Sequence, residues 1–336
     1  AERWLSKMVK EGLEPNAISY NAVINSCAQS GNAIAAERWL SKMLDALLVP
    51  NVITYNAVIN ACAKSGQTVA AQRWLSKMVD VGLEPNVISY NALMKAYARA
   101  RDVSGAERCL ADMLRVRVTP DCITYTTIIE TCTNAGNIDR AEGWLKKMQE
   151  LGLKPNAITY TSFINSLARR GDIEKTLHWF GKMKEEGLTP DVVSYTALMN
   201  AYARAKDVSG AESCFESMSR ARLNPNLFTY NYLIAACGKA GDIDRAEGWL
   251  AKMRDLRLKP NVITYSSLIK SLARRRDYER ILRWLGKMKE EGLSPDDMMY
   301  KQLLRACGNA DTRRPALAEE VFQLLVKSRS KPDKNR

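Results

Sequence analysis

The chain has 336 residues, 46% of them hydrophobic and 26% charged, with a net charge of +13, eight cysteines and one histidine, His178. It holds no apolar stretch long enough to span a membrane and no signal peptide, and a lone histidine without any CxxC pair speaks against a zinc site. The positive balance suggests an anionic partner, provided the charge is concentrated somewhere along the chain.

From the N-terminus, residues 1–16 predict one helix, Ala1 to Met8, and its closing loop, the second half of an incomplete unit. Full units follow at 17–51, 52–86, 87–121, 122–156, 157–191, 192–226, 227–261 and 262–296. Proline recurs every 35 residues from Pro15 to Pro295 and tyrosine from Tyr20 to Tyr300, without a slip. In the second unit Tyr55, Val58, Ile59 and Cys62 stand at i, i+3, i+4 and i+7, and Ala71, Trp74, Leu75 and Met78 repeat the spacing, so both halves are amphipathic helices. Ser65-Gly66 supplies the turn between them. Gly82 tolerates a positive φ and Pro85 has no N–H with which to continue the second helix. A hairpin of this size cannot bury its apolar stripes alone, so the units must stack into one all-α domain with a continuous core. From Asp297 the pattern drifts, and residues 297–336 are expected to form a divergent C-terminal capping repeat with a basic tail.

A longer period overlies the short one. Ala98–Glu107 returns as Ala203–Glu212 and Asn137–Leu145 as Asp242–Leu250, each 105 residues on, which points to duplication of a three-repeat block. Cys27, Cys62, Cys132, Cys237 and Cys307 share one place on the buried stripe, where a free thiol behaves as a small apolar side chain. Reduced thiols point to an intracellular compartment. The tryptophans from Trp4 to Trp284 stand on the core stripe of second helices, where packing rather than base stacking is expected.

Charge is segregated. With each repeat numbered from the residue three before its tyrosine, positions 3 to 14 carry twelve Lys or Arg against one acid, Glu130. At about 100° per residue, positions 4, 7, 8 and 11 cluster on one side of the first helix, with 2, 5, 9 and 13 roughly opposite. Position 13 is basic at Lys64, Arg99, Arg169, Arg204, Lys239 and Arg274, and position 5 is a small hydrogen-bonding residue in every full repeat. Position 2 is apolar throughout: Ile18, Ile53, Ile88, Ile123, Ile158, Val193, Phe228 and Ile263. An apolar side chain placed away from its helix's own core needs a flat aromatic ligand or a neighbouring repeat to cover it.

The 35-residue hairpin, the Ile53-Thr54-Tyr55-Asn56 opening, the Ala-x-x-Trp-Leu-x-x-Met second helix and the Gly-Leu-x-Pro-Asn/Asp ending resemble the pentatricopeptide repeat family over essentially the whole chain. That resemblance implies an α-solenoid, a right-handed superhelix of stacked antiparallel helix hairpins. It also implies binding of single-stranded RNA at one base per repeat, without a cofactor, a small-molecule substrate or a membrane. The family reads bases with the fifth and last residues of the unit. Those pairs here are Asn21 with Asn51, Asn56 with Asn86, Asn91 with Asp121, Thr126 with Asn156, Thr161 with Asp191, Thr196 with Asn226, Asn231 with Asn261, and Ser266 with Asp296. In the family Asn with Asn favours C or U, Asn with Asp favours U, Thr with Asn favours A, and Thr or Ser with Asp favours G, so the implied site is 5′-YYUAGAYG-3′, where Y is C or U. Position 2 would sandwich the bases and position 13 would meet phosphates. The resemblance further implies a mitochondrial or chloroplast protein acting in organellar RNA processing, stability or translation, its targeting segment not present in this chain.

The chemistry of these residues is consistent with that implication. An Asn amide offers donor and acceptor together, a hydroxyl adapts, and an ionised Asp only accepts. Asn or Asp after proline also has a local explanation as a turn or helix cap. That explanation leaves position 5 unaccounted for, because Asn91 answers to Thr196 and Thr161 to Ser266 between duplicated blocks whose cores barely change. No enzyme is expected: the chain has no H-x-E with P-C-x-x-C, and His178 is followed by Trp179 and Phe180. The competing expectation is a scaffold subunit of an organellar ribonucleoprotein such as a ribosome, contacting RNA or other subunits without reading bases.

Overall fold

A computed structural model describes residues 2–296, 299–301 and 303, and every element within them is an α-helix. In chain order these are α1 (Glu2–Lys10), α2 (Ala17–Ser30), α3 (Ala33–Asp45), α4 (Val52–Lys64), α5 (Thr68–Asp80), α6 (Val87–Ala100), α7 (Val103–Arg115), α8 (Cys122–Asn134), α9 (Ile138–Glu150), α10 (Ala157–Arg170), α11 (Ile173–Glu185), α12 (Val192–Ala205), α13 (Val208–Arg220), α14 (Leu227–Ala240), α15 (Ile243–Asp255), α16 (Val262–Arg275) and α17 (Tyr278–Glu290). Even-numbered helices are the first helices of repeats and odd-numbered ones the second. The expected capping repeat at 297–336 lies, apart from residues 299–301 and 303, outside the described residues. None of the described helices is long and apolar enough to cross a membrane.

The chain divides into two compact units, 1–166 and 167–336, the division falling within α10. Each is a stack of helix hairpins, the α-solenoid arrangement. In the first unit α2, α4, α6 and α8 pack successively on one another; in the second α12, α14 and α16 do the same. A second helix packs on its own first helix and on the next one, as α3 does on α2 and α4. Small buried residues at position 10 let the first helices approach closely: Ala61, Ala96 and Thr131 in one unit, Ala201, Ala236 and Ser271 in the other.

The stripes read from the sequence form the core. Tyr55, Val58, Ile59 and Cys62 of α4 and Ala71, Trp74, Leu75 and Met78 of α5 are all buried. The methionine closing that second stripe is fully buried from Met43 to Met288, filling the space between hairpins with an adaptable side chain. Tyrosine and tryptophan of one hairpin meet edge-on or tilted, with ring centroids 6.2 Å apart for Tyr55 and Trp74 and 6.1 Å for Tyr265 and Trp284. Several indoles also tie their repeat to the one before. Trp74 Nε1 donates to Glu37 at 2.5 Å, Trp249 to Glu212 at 3.0 Å and Trp284 to Glu247 at 2.7 Å. Lysines cover the outer ring faces, Lys42 over Trp39 at 4.3 Å and Lys252 over Trp249 at 4.4 Å. Packing thus accounts for these tryptophans, except that Trp4 in α1 is 72% exposed. The described cysteines are free thiols, and burial pushes those of Cys62 and Cys109 up to about 11 and about 12.

Turn geometry follows the expected chemistry, Gly66 and Gly82 holding φ of 76° and 78°. A different constraint falls on two helical glycines. Position 11 is Cys or Leu in most full repeats but Tyr97 and Tyr202 in two, and those same repeats carry Gly105 and Gly210 at position 19. A methyl group on either glycine would overlap the facing tyrosine ring. Gly105→Ala is therefore expected to destabilise the fold by about 1–3 kcal/mol, the usual cost of overpacking. In a Tyr97→Cys background that cost should largely vanish, a coupling that urea unfolding of the four proteins in the double-mutant cycle measures.

Candidate nucleic-acid interface

The last residue of each repeat starts the next first helix. Asn51 is extended, at φ −114° and ψ −178°, and its Oδ1 accepts the Thr54 N–H at 3.1 Å while Thr54 Oγ1 accepts the Asn51 N–H at 3.2 Å, a capping box. Asn86, Asp121, Asn226 and Asn261 cap α6, α8, α14 and α16 in the same way. Asn156 Oδ1 accepts the Thr159 N–H at 2.9 Å, Asp191 Oδ1 that of Ser194 at 2.8 Å, and Asp296 Oδ1 that of Met299 at 2.7 Å. The cap explanation for this position is realised, and it leaves the second carboxylate or amide atom available to a ligand.

Position 5 lies beside that cap. Asn91 Nδ2 donates to Asp121 Oδ1 at 3.1 Å, and the amides of Asn56 and Asn231 reach Asn86 Oδ1 and Asn261 Oδ1 at 3.4 Å. Burial works to raise the Asp121 pKa, but the Thr124 and Ile123 N–H groups, the Asn91 amide and the Thr124 hydroxyl together hold it below the ordinary carboxylate value, so this group acts purely as an acceptor. Thr126 and Thr159 hydroxyls lie 2.8 Å apart, Thr196 donates to its own helix at the Val192 carbonyl, and Thr161 and Ser266 are half-buried. Three of the four Asn–Asn or Asn–Asp pairs thus meet directly, whereas the Thr126 and Thr196 hydroxyls bond elsewhere.

All eight apolar side chains at position 2 point out, from 53% exposed at Val193 to 77% at Ile18. In the first unit Ile18, Ile53, Ile88 and Ile123 line one open groove of about 600 Å³ together with Asn21, Asn56, Asn91 and Asp121. Position 2 and the paired positions therefore share a surface, with a wall of methyl groups and a floor of amides.

The cations stand at the C-terminal ends of the first helices, where unpaired carbonyls favour positive charge. Lys64 Nζ donates to the Gln29 carbonyl at 3.2 Å and to its side-chain oxygen at 3.1 Å, and Arg99 donates to the Lys64 carbonyl, so these two serve the preceding helix as well as facing solvent. In the second unit Arg170, Arg204, Lys206, Lys239 and Arg274 line one open pocket, with Arg170 in the place expected of its exposed neighbour Arg169. Burial first, then Arg204, Lys270, Arg274 and Lys206, lower the Lys239 pKa. Arg101 and Lys206, which line the basic pockets of the two units, were missed from the sequence. Both hold a left-handed φ, 55° and 61°, at the helix-ending position where Gly31, Gly66 and Gly136 stand. A cation where glycine is the easier residue was the available signal.

The pentatricopeptide repeat domain model matches residues 3–65, 73–135, 108–170, 144–202 and 178–240, the PPR repeat family model 50–91 and 225–274, and the PPR repeat model 263–293. Curated proteins offer no match. Among solved structures, the chain is similar to the pentatricopeptide repeat protein PPR10 in complex with an 18-nucleotide psaJ RNA element, at 25% identity and a TM-score of 0.80, over 96% of this chain and 48% of that one. It is also similar to PPR10 from maize, at 20% identity and a TM-score of 0.64, over 96% of this chain and 57% of that one. The chain thus spans about half the length of the PPR10 chain in the RNA complex.

The groups acting on Lys239 are all cations, so its own charge is opposed in the free protein. Lys239→Met, which keeps the stem and removes the charge, is expected to raise the unfolding temperature at ~10 mM salt, where the Debye length is about 30 Å. The gain should fade at ~1 M, where it is about 3 Å. Thermal melts at the two salt concentrations check this.

Proposed function

Because the chain belongs to the pentatricopeptide repeat family, we propose that it binds single-stranded RNA and reads one base per repeat, at the site 5′-YYUAGAYG-3′ implied by its residue pairs. The observation that carries this reading is an exposed apolar side chain next to an amide or hydroxyl pair, recurring every 35 residues on the same side of the first helices. A base inserted between Ile18 and Ile53, or between Ile53 and Ile88, covers apolar surface on both faces and turns its edge toward positions 5 and 35. Asn–Asn pairs then offer donors and acceptors, and the Asn91–Asp121 pair offers an acceptor that cannot donate.

Phosphates follow the band of cations at the helix ends, where the charged groups that act on Lys239 are Arg204, Lys206, Lys270 and Arg274, all cations. The proposed role is non-enzymatic, in organellar RNA processing, stability or translation. Its partners are the transcript and, where the array is part of a ribonucleoprotein, the other subunits.

Fluorescence anisotropy with 5′-CCUAGACG-3′, its scramble and its duplex tests the reading. The single strand of matching sequence is expected to bind tightest, and Asn156→Asp to move the preference at the fourth base from A to G. If about six phosphates meet the position 13 cations, log K falls with log salt at a slope of about −4. Equal binding to all three probes overturns base reading and favours a scaffold that contacts RNA or protein through other faces.

A further inference from the structure

Among the described residues, two buried polar side-chain atoms have no hydrogen-bond partner, Asn56 Oδ1 and Ser266 Oγ, and both belong to position 5. Their isolation has a common origin at position 3 of the following repeat. After the first, third and seventh repeats that position is threonine, and its hydroxyl donates to the amide oxygen at position 5: Thr54 to Asn21 at 2.6 Å, Thr124 to Asn91 at 2.7 Å and Thr264 to Asn231 at 2.6 Å. After the second repeat it is Ser89, whose hydroxyl keeps the cap contact that the threonines also make, 3.2 Å from Asn86 Oδ1 as Thr54 is 3.1 Å from Asn51 Oδ1, but has Met78 Sδ at 3.9 Å as its further acceptor in place of Asn56 Oδ1. After the eighth it is Met299, which has no hydroxyl to give.

We propose that the threonine at position 3 is a third member of the reading unit, a positioning residue that holds the amide at position 5 of the preceding repeat with its N–H outward. The inference rests on the base-reading proposal. Its chemistry is set by the cap. Thr54 Oγ1 accepts the Asn51 N–H, so its proton is free to be donated, and Asn21 Oδ1 receives it. At the other end of the unit, the oxygen of residue 35 accepts the helix N–H and is committed as an acceptor, so a neighbouring amide at position 5 turns Nδ2 toward it, as Asn91 and Asn231 do. One amide hydrogen is used there and the second remains for a ligand. The β-branch of threonine restricts χ1, which keeps the hydroxyl aimed, whereas the serine hydroxyl is freer to turn, as Ser89 does toward Met78 Sδ.

The first, second and seventh repeats carry the same Asn–Asn pair but differ at position 3. In the first and seventh, the amide oxygen is tied by threonine. In the second, Asn56 is held only through Nδ2, by a 3.4 Å bond to Asn86. A tied amide presents a donor, which suits the N3 acceptor of cytosine. An untied one can turn and accept the N3–H of uracil. The pair alone leaves C and U undivided; position 3 divides them, so the second repeat is the more permissive of the three.

The test is the ratio of C to U affinities, measured by anisotropy on 5′-CCUAGACG-3′ and its single-base variants with the full chain. The ratio is expected to be higher at the first and seventh bases than at the second. Ser89→Thr should raise it at the second base, and Thr54→Ser should lower it at the first, each by about two- to tenfold, the range one hydrogen bond supplies. Both variants keep a hydroxyl for the capping box, so a purely structural role for position 3 would leave the ratios where they are. Asn156→Asp serves as the control for base reading. If it shifts the fourth-base preference while Ser89→Thr and Thr54→Ser leave their ratios unmoved, the position 3 inference alone is overturned. If Asn156→Asp changes nothing, base reading falls and this inference with it.

Discussion

The oxygen that ends one repeat accepts the first free N–H groups of the next, and much of the molecule's geometry follows from that bond. A helix start leaves backbone donors without partners, and Asn51, Asn86 or Asp121 supplies the acceptor from an extended backbone held just after proline. Fixing the helix start fixes its rotation. Tyr55, four residues on from Asn51, then turns inward, and Ile53, two residues on, turns outward. The same bond commits one oxygen of the closing residue to the protein and leaves the rest of that side chain beside position 5. The structural cap and the proposed recognition group are therefore one residue, and the two roles would use different atoms.

The two helices of each repeat divide the remaining work. Second helices hold the stack together through indoles that donate to the preceding repeat's glutamate, as Trp284 does to Glu247, and through lysines laid over those rings. Their charges are mixed, and several pair between neighbouring repeats, as Arg245 does with Glu212 and Arg280 with Asp244. First helices carry the exposed isoleucines, the amide pairs and nearly all of the unbalanced charge. That charge gathers at helix C-termini, where a carbonyl such as that of Gln29 welcomes Lys64. Stacking first helix on first helix brings those ends side by side, so single cations in separate repeats become a continuous band within each unit.

Much of this was legible in the sequence because a period of 35 residues repeats each local decision eight times. The inward places of Tyr55, Val58, Ile59 and Cys62 and the outward place of Ile53 follow from helical spacing alone. Spacing could also place Asn56 near Asn86, 30 residues away, once consecutive first helices were understood to be neighbours. It could not tell that Asn56 and Asn21, identical in type and position, differ in their hydrogen bonds. That difference arises across a helix–helix contact, where Thr54 reaches Asn21 and Ser89 turns away from Asn56. Trp4 likewise shares its pattern with Trp74 yet is exposed, since burial depends on which neighbours are present and not on the stripe itself.

What the sequence determined by itself is the unit: its two helices, their caps and turns, the residues facing the core and those facing away. Each of these is a local consequence of helical periodicity, of proline and glycine chemistry, and of side chains within one turn of a backbone N–H. What only the tertiary structure decided is which polar atoms are tied and which are left over, that Lys64 and Arg99 also serve the preceding helix, and that Arg101 and Lys206 line the basic pockets despite a left-handed backbone. Those outcomes depend on distances of a few ångströms between residues more than 30 positions apart or on helix-end geometry, and a hydrogen bond is made or missed within a fraction of that distance.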